Sequence, residues 1–290
     1  MRIPRSLRPR AHAAQEADRC SPSRSFGIAA AQDRWQARWT RDRQLTTCWG
    51  AHHETAVRAY LADPRSSAGN LTRYGWAGGD DITTLVAGRC PRLEEVTLGA
   101  VTAEGLEAVA ALPEVRSLSI LGHDGGPLAP LVRMQRLERL SVALYVGSFD
   151  LAPLTSLPNL RVLLLDGRCG DAEAALLAPL GQLRSLTLIG NQAGKPRLSS
   201  VGASALSQMG RLTHLTYDAA WGAPLPVELF AGSSLQSLTL RGHTFRRGGV
   251  DALRQLTGLK HLDVEHCQFD PEDLRELVAH LEAAGVRVTA

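Results

Sequence analysis

Long apolar runs and paired cysteines are both missing from this 290-residue chain, and each absence excludes a class of protein. No apolar stretch approaches the roughly 18 residues that a membrane span requires, so we predict no membrane insertion. The five cysteines are odd in number and widely spread, which favours reduced thiols over a disulfide framework. Arginines interrupt the N-terminal residues, and no apolar core of a secretory signal is visible there. We therefore predict a cytoplasmic protein, with an Arg- and Ser-rich transit peptide as the alternative.

Motifs that mark common catalytic and metal sites are also absent. No G-x-S-x-G, H-E-x-x-H or C-x-x-C occurs. His52, His53 and Glu54 follow Cys48, but they lack the paired spacing of zinc ligands. The run from Gly190 to Pro196 superficially resembles a phosphate-binding loop. It is too short between its glycines, however, and has proline where a helix should begin. We predict no enzymatic activity, no catalytic residue, no metal and no cofactor.

The formal net charge of +3 is unevenly distributed along the chain. Residues 1–50 contain ten arginines against four acidic residues, or +6, which leaves −3 for residues 51–290. Residues 1–48 are predicted to be a disordered basic leader, because prolines punctuate a stretch that buries little apolar surface. A nucleic-acid-binding arm is the alternative for this segment. Because no basic stripe continues into the rest of the chain, we predict no nucleic-acid partner.

A short phrase recurs through the rest of the chain: an apolar residue, two variable residues, an apolar residue, one variable residue and a third apolar residue. It occurs at Leu93–Leu98, Val115–Ile120, Leu137–Val142, Leu160–Leu165, Leu183–Leu188, Leu212–Tyr217, Leu235–Leu240 and Leu259–Val264. The first residues are spaced by 22, 22, 23, 23, 29, 23 and 24. Leu71, Tyr74 and Trp76 repeat the spacing once more, 22 residues before Leu93, which makes nine units. A period of this size is the signature of a leucine-rich-repeat solenoid.

The repeat predicts an α/β fold in which a parallel sheet lines the concave face of a curved horseshoe. Helices and 3₁₀ turns return the chain along the convex face. Proline in three Leu-Ala-Pro-Leu runs, at 128–131, 151–154 and 177–180, indicates 3₁₀ turns or helix ends there. We assign 49–70 to an N-terminal cap helix and 71–290 to the repeat domain. Its C-terminal cap, 270–290, begins at Asp270-Pro271, a strong helix start.

Several units, among them the runs Cys90–Leu106 and Leu259–Leu274, resemble the cysteine-containing leucine-rich repeats of F-box and related proteins. The run from Cys90 to Leu106 is similar to that family's C-P-x-L-x-x-L-x-L…I-T-D-x-G-L pattern, and Leu259–Leu274 places Cys267 at the family's cysteine position. The resemblance covers about 71–290, although no F-box is visible in residues 1–90. It implies the same solenoid. As one function, it implies a substrate-recognition subunit or effector of a ubiquitin-ligase-like system.

Outward-facing strand positions indicate where a partner would bind, because a solenoid of this kind binds along its inner curve. The middle units carry a mildly apolar strip that includes Leu164 and Ile189. The C-terminal units carry a charged patch, in which we expect 261, 263 and 265 to share one strand face. Its members are His214, Asp218, Arg241, His261, Asp263 and Glu265.

These positions predict a non-catalytic, monomeric module that binds a partner protein on its concave face. A hydrolase or metal site formed by His261, Asp263 and Glu265 is a second alternative. The unit of 29 residues contains an inserted loop, from Gln192 to about Ser199. Because such insertions map to surface loops and binding edges, Lys195 and Arg197 join the candidate binding residues.

Overall fold

Parallel strands, one per repeat, build the molecule. The structure is a computed structural model and describes residues 44–46, 58–76, 80–123, 128–144, 150–167, 169–190, 198–222 and 225–290. Within these residues eleven strands form one sheet, and their order in the sheet is their order in the chain. The strands are β1 Gln44–Thr46, β2 Arg73–Trp76, β3 Glu95–Val101, β4 Ser117–His123, β5 Arg139–Leu144, β6 Val162–Asp166, β7 Ser185–Gly190, β8 His214–Gly222, β9 Ser237–His243, β10 His261–Asp263 and β11 Arg287–Thr289. Each strand pairs in parallel with its sequence neighbours, so the predicted leucine-rich-repeat solenoid is confirmed.

The register of the sheet separates a buried face from an exposed one. Leu140, Leu163 and Leu186 are partners in β5, β6 and β7, and each is at most 1% exposed. The next position along each strand points the other way, and there Leu164 pairs with Thr187. Since side chains alternate between faces, a slip of one residue would move every leucine into water. The apolar phrase of each repeat therefore determines the register as well as the core.

Helices and 3₁₀ turns cover the buried face of the sheet. The α-helices are α1 Asp80–Arg89, α2 Ala103–Ala110, α3 Asp171–Leu177, α4 Ser200–Ser207, α5 Arg247–Arg254 and α6 Pro271–Ala283. The 3₁₀ helices are Ala68–Asn70, Ala129–Arg133, Ala152–Ser156 and Val227–Phe230. Two of the Leu-Ala-Pro-Leu runs form 3₁₀ helices and the third ends α3, as their prolines predict. No helix in the described ranges is long and apolar enough to cross a bilayer.

The N-terminal end of the sheet begins earlier than the sequence predicts. Gln44–Thr46 pairs with Arg73–Gly75 of β2, although these three residues fall inside the leader assigned to 1–48. The disordered assignment is wrong for this tripeptide, because it supplies backbone partners to the otherwise open edge of β2. Residues 58–62 are helical, and Tyr60 and Leu61 are buried. The helix does not continue to residue 70 as assigned, because residues 64–67 form a turn and Ala68–Asn70 is a 3₁₀ helix. The remainder of the leader, and of the cap helix before residue 58, lies outside the described residues.

The C-terminal cap follows its sequence signals closely. The Asp270 carboxylate accepts hydrogen bonds from the N–H groups of Glu272 and Asp273, at 2.9 and 3.4 Å, so it caps α6 as predicted. Leu277 and Leu281 are buried beneath the helix. The chain then returns as β11, which pairs with β10 and covers that edge of the sheet.

Side chains that bond to the backbone of the preceding unit join neighbouring repeats. Asn159 Nδ2 donates to the Gln135 carbonyl at 2.8 Å, and Gln182 Nε2 donates to the Leu157 carbonyl at 2.7 Å. In the C-terminal units the Cys267 thiol donates to the Leu240 carbonyl at 3.1 Å. Burial raises the pKa of this thiol, so Cys267 serves as a neutral structural donor.

One carboxylate ties α3 to α4 across the unit that contains the insertion. Asp171 accepts hydrogen bonds from the Ser199 N–H at 2.8 Å, the Ser199 hydroxyl at 2.6 Å and the Gly202 N–H at 3.0 Å. Partial burial raises the pKa of Asp171, but these hydrogen bonds outweigh it and hold the pKa below its usual value. Asp171 therefore acts as a charged cap for the first turn of α4, contributed by the preceding unit.

Candidate functional site

The exposed side of the sheet, which we call the concave face, carries three rows of outward side chains that run across the strands. The central row is mostly small hydroxyls, and β5 to β9 contribute Ser141, Leu164, Thr187, Thr216 and Thr239 in register. Because the side chains of the central row are short and β-compatible, the longer side chains of the flanking rows project beyond them. The side chains of the flanking rows, which differ along the solenoid, therefore determine which part of the face a ligand can contact.

An apolar strip occupies the middle of the concave face. Leu164 and Ile189 are partly exposed on β6 and β7, as predicted, and Val162 beside them is 37% exposed. On β4, Leu121 is 47% exposed and extends the open apolar surface of this face. Apolar side chains left open to water at the centre of a face mark a surface suited to burial by a ligand.

A charged patch follows on the C-terminal strands. Asp218 and Arg241 are register partners on β8 and β9, and Asp218 also pairs with Ile189 of the apolar strip. Arg241 Nη2 lies 3.7 Å from Asp263 Oδ2, with the Arg241 side chain 45% exposed and that of Asp263 15% exposed. The guanidinium is held by one carboxylate and still presents donors to solvent.

The place of Glu265 differs from the prediction. Strand β10 ends at Asp263, and Asp263 Oδ1 accepts a hydrogen bond from the Glu265 N–H at 3.0 Å. His266 then adopts a left-handed conformation with φ of 63°. The expectation that 261, 263 and 265 share one strand face is therefore wrong, because the Asp263 side chain turns the backbone out of the strand.

The histidines of the patch are separated from each other. His214 and His261 both pair with Ser237, from opposite sides, which places them two strand spacings apart, or roughly 10 Å. His214 Nδ1 lies 2.9 Å from the Thr213 hydroxyl. Among the described residues, no group of three or more His, Cys, Asp or Glu side chains is arranged to hold a metal ion. The alternative of a His261/Asp263/Glu265 metal centre thus has no geometric support.

Lys195 and Arg197 complete the set of candidate residues that the sequence singles out. Both belong to 191–197, outside the described residues. Their contribution to binding stays a prediction.

Sequence reasoning missed the strand-start row, which consists of the residue that precedes each of these strands. In the N-terminal units Arg116 is the arginine of this row among the described residues, and it is neutralised, because its Nη1 lies 2.9 Å from Glu138 Oε1. In the middle units the next two members, Arg161 and Arg184, are both exposed and have no side-chain partner among the described residues. The signal was present in the repeat itself, since both arginines occupy the same position of consecutive units.

A buried histidine supports the patch from within. His243 is 1% exposed, its Nδ1 lies 2.8 Å from the Arg241 carbonyl, and its Nε2 has no partner among the described residues. The ring packs edge-on against Tyr217 at 5.4 Å and stacks on Phe245 at 5.9 Å. The ring is thus held in place by a backbone carbonyl and by its aromatic neighbours. Burial lowers the pKa of His243, against smaller opposing effects of the Arg241 carbonyl and of Asp218.

The low pKa of His243 predicts a loss of stability on mild acidification. The unfolded chain binds a proton near pH 6.5, whereas the folded protein resists protonation, so stability is complete above that pH and falls as the pH drops towards the folded pKa. His243→Phe keeps an aromatic ring in the stack and removes the titrating group. Denaturant unfolding from about pH 7.5 to about pH 5, a range that spans the titration of His, should show a shallower pH dependence for this variant. Equal slopes for the two proteins would contradict the prediction.

The exposed parallel sheet, the repeated leucine core and the covering helices define a leucine-rich-repeat solenoid. No family model and no curated protein matches the sequence. Among solved structures, the chain is similar to a Bacteroides fragilis protein, at 14% identity and a TM-score of 0.53 over 92% of this chain and 84% of that one. It is also similar to internalin C2 from Listeria monocytogenes, at 16% identity and a TM-score of 0.40 over 77% of this chain and 87% of that one. At 14% identity, the likeness to the Bacteroides fragilis protein is one of fold.

Proposed function

We propose that the protein is a non-catalytic interaction module that binds a partner protein on the concave face. The observation that carries the proposal is the juxtaposition of open apolar side chains, Val162 and Leu164, with the Asp218–Arg241–Asp263 patch on one continuous sheet surface. Protein interfaces combine an apolar centre with a polar rim in this way. Contiguous strands also provide a rigid surface, so a partner can bind without the cost of ordering the module.

The two alternatives are less well supported. A hydrolase or metal role needs His261, Asp263 and Glu265 together, and Glu265 lies in the turn that follows the strand. A role as substrate-recognition subunit of a ubiquitin-ligase-like system rests on the resemblance of the Cys90 and Cys267 units to F-box-type repeats. Co-purification with ligase components would be the result that favours it.

A charge reversal at Arg241 tests the proposal. The partner is first isolated by affinity purification and mass spectrometry, and its dissociation constant is then measured with both purified proteins. Arg241→Glu should weaken that complex by roughly tenfold, because it replaces the donors of the patch and places three carboxylates on adjacent strands. Thermal unfolding should change little, since the long ion pair between the half-exposed Arg241 and Asp263 contributes less than about 1 kcal/mol.

The control must lie on the helical side and carry an arginine without a partner. Arg254 is unsuitable, because it lies 3.0 Å from both Asp251 and Glu276. Arg247 is exposed at the first position of α5, and no described residue pairs with it. Arg247→Glu places an acid at a helix N-terminus, where it is tolerated. If Arg247→Glu reduced binding as much as Arg241→Glu, or more, the concave face would not be the interface.

A further inference from the structure

Arg161 and Arg184, which have no side-chain partner among the described residues, point to a particular chemistry of partner. We infer that Arg161 and Arg184, together with the apolar strip at Val162 and Leu164, bind an acidic segment of a protein in an extended conformation. This inference rests on the proposed function and specifies which kind of partner the concave face accepts.

The arginines are neighbours in the sheet. The Arg161 carbonyl accepts hydrogen bonds from the N–H groups of Arg184 and Ser185, at 2.8 and 3.0 Å, so the two arginines lie side by side immediately before adjacent strands. Their Cα atoms are therefore about one strand spacing apart, near 4.8 Å. Like charges opposite one another on adjacent strands repel, and no side chain in the part of the chain that the structure describes compensates this positive pair.

In the N-terminal units, the strand-start row places an arginine beside a glutamate, and so does the adjacent row formed by the first residue of each strand. Arg116 contacts Glu138 at 2.9 Å, and Arg73 contacts Glu95 at 3.0 Å. Glu138 is thus already engaged on the side away from Arg161. Along β6, Asp166 follows Arg161 by five residues, or about 16 Å of extended chain, too far for contact.

The surroundings of the pair favour a protein ligand over a nucleic acid. Next to Arg161, Val162 is 37% exposed, and it pairs with Ser185, the residue after Arg184. A ligand held by both guanidiniums would therefore cover apolar surface at the same time. Residues 51–290 carry a net charge of −3, so the positive pair is local, whereas nucleic acid needs a long basic surface.

Carboxylates suit this geometry well. Each guanidinium offers a planar pair of donors that matches one carboxylate. Neither guanidinium donates a hydrogen bond to a side chain of the described residues. Acidic residues spaced along an extended segment would meet the two arginines while an apolar residue between them rests on Val162 and Leu164.

The experiment selects ligands from a phage-displayed library of random linear peptides on the full chain. Selected peptides should be enriched in Asp and Glu, and the affinity of synthetic copies should fall with added salt. Arg184→Glu should reduce that affinity by at least tenfold, while the free variant unfolds at a temperature no lower than wild type, because the introduced carboxylate would pair with Arg161. Arg184→Gln is a second variant with the same expected direction, should the reversal disturb folding.

Two further variants separate the failure of this inference from the failure of the proposed function. Thr187→Trp fills the centre of the concave face without changing its charge, and Arg247→Glu alters the helical side. Suppose that the selected peptides lose affinity for Thr187→Trp. If they also lack acidic residues, or bind Arg184→Glu as tightly as wild type, the acidic-segment inference is overturned and the concave interface is retained. Peptides that bind Thr187→Trp as tightly as wild type would overturn both. A duplex DNA probe that binds in an Arg184-dependent manner, with acidic peptides failing to do so, would assign the pair to nucleic acid instead.

Discussion

Leu163→Asp should unfold the middle of the solenoid. Leu163 is fully buried in β6 between Leu140 and Leu186 of the neighbouring units. An unpaired carboxylate in that position costs several kcal/mol, comparable with the roughly 5–15 kcal/mol that stabilises a whole domain. Because each unit contacts only its neighbours, the damage should begin locally. Amide hydrogen exchange should show lost protection in β5 to β7, with α6 and β11 less affected.

The adjacent residue provides a matched control. Leu164 is partly exposed on the opposite face of the same strand, so Leu164→Asp introduces the same chemistry into water. We expect its exchange pattern and melting temperature to remain close to wild type. Full native protection in Leu163→Asp, or equal damage from both variants, would show that the faces of β6 are assigned incorrectly.

Gly202→Ala should be costly although it adds a single methyl group. A Cβ at this position would overlap Asp171 Oδ1 and would lie 2.7 Å from Leu198 Cδ2 and 3.2 Å from Asp171 Cα. Part of this obstruction is backbone, so α4 must move away from α3 and stretch the hydrogen bonds that Asp171 accepts. Overpacking of this kind costs about 1–3 kcal/mol, which should lower the melting temperature by several degrees.

A substitution of the same type elsewhere isolates the cause. Gly248 lies in α5, where an added methyl group would meet nothing within 4 Å, so Gly248→Ala should stabilise the helix by about 0.5–1 kcal/mol. Asp171→Ala removes the overlapping oxygen along with the cap. The double variant Asp171→Ala/Gly202→Ala should therefore be less destabilised than the sum of the two single changes. Strict additivity would show that Gly202 and Asp171 do not compete for the same space.

The core of the fold was predictable because it depends on local spacing. Tyr74, Val96, Leu118 and Leu140 occupy the same place in each phrase, and they form one continuous line of register partners. Strong local signals were equally informative: Asp270 with Pro271 predicted the start of α6, and proline in the Leu-Ala-Pro-Leu runs predicted 3₁₀ turns. In each case the determining interaction lies within a few residues in the chain.

The candidate site was only partly predictable. Alternation along the strands predicted which residues of β8 and β9 face outward, and Asp218 and Arg241 are indeed partners. It failed at Glu265, because a strand continues only while the backbone finds ladder partners, and Asp263 ends β10 with a side-chain hydrogen bond. The tripeptide Gln44–Thr46 was missed for a related reason, since three residues carry too little periodicity to indicate a strand.

The sequence by itself determined the structure of each repeat unit, whereas contacts between side chains of different units were decided only by the tertiary structure. The period of the leucine phrase determined the solenoid, its register and its exposed face, because all three follow from which residues must leave water. Only the tertiary structure decided which charges are neutralised. Arg116 and Arg184 occupy the same position of their repeats, yet Arg116 meets Glu138 while Arg184 lies beside Arg161. Ion pairing depends on residues more than twenty positions apart in the chain, and stacking of the units alone brings them within reach.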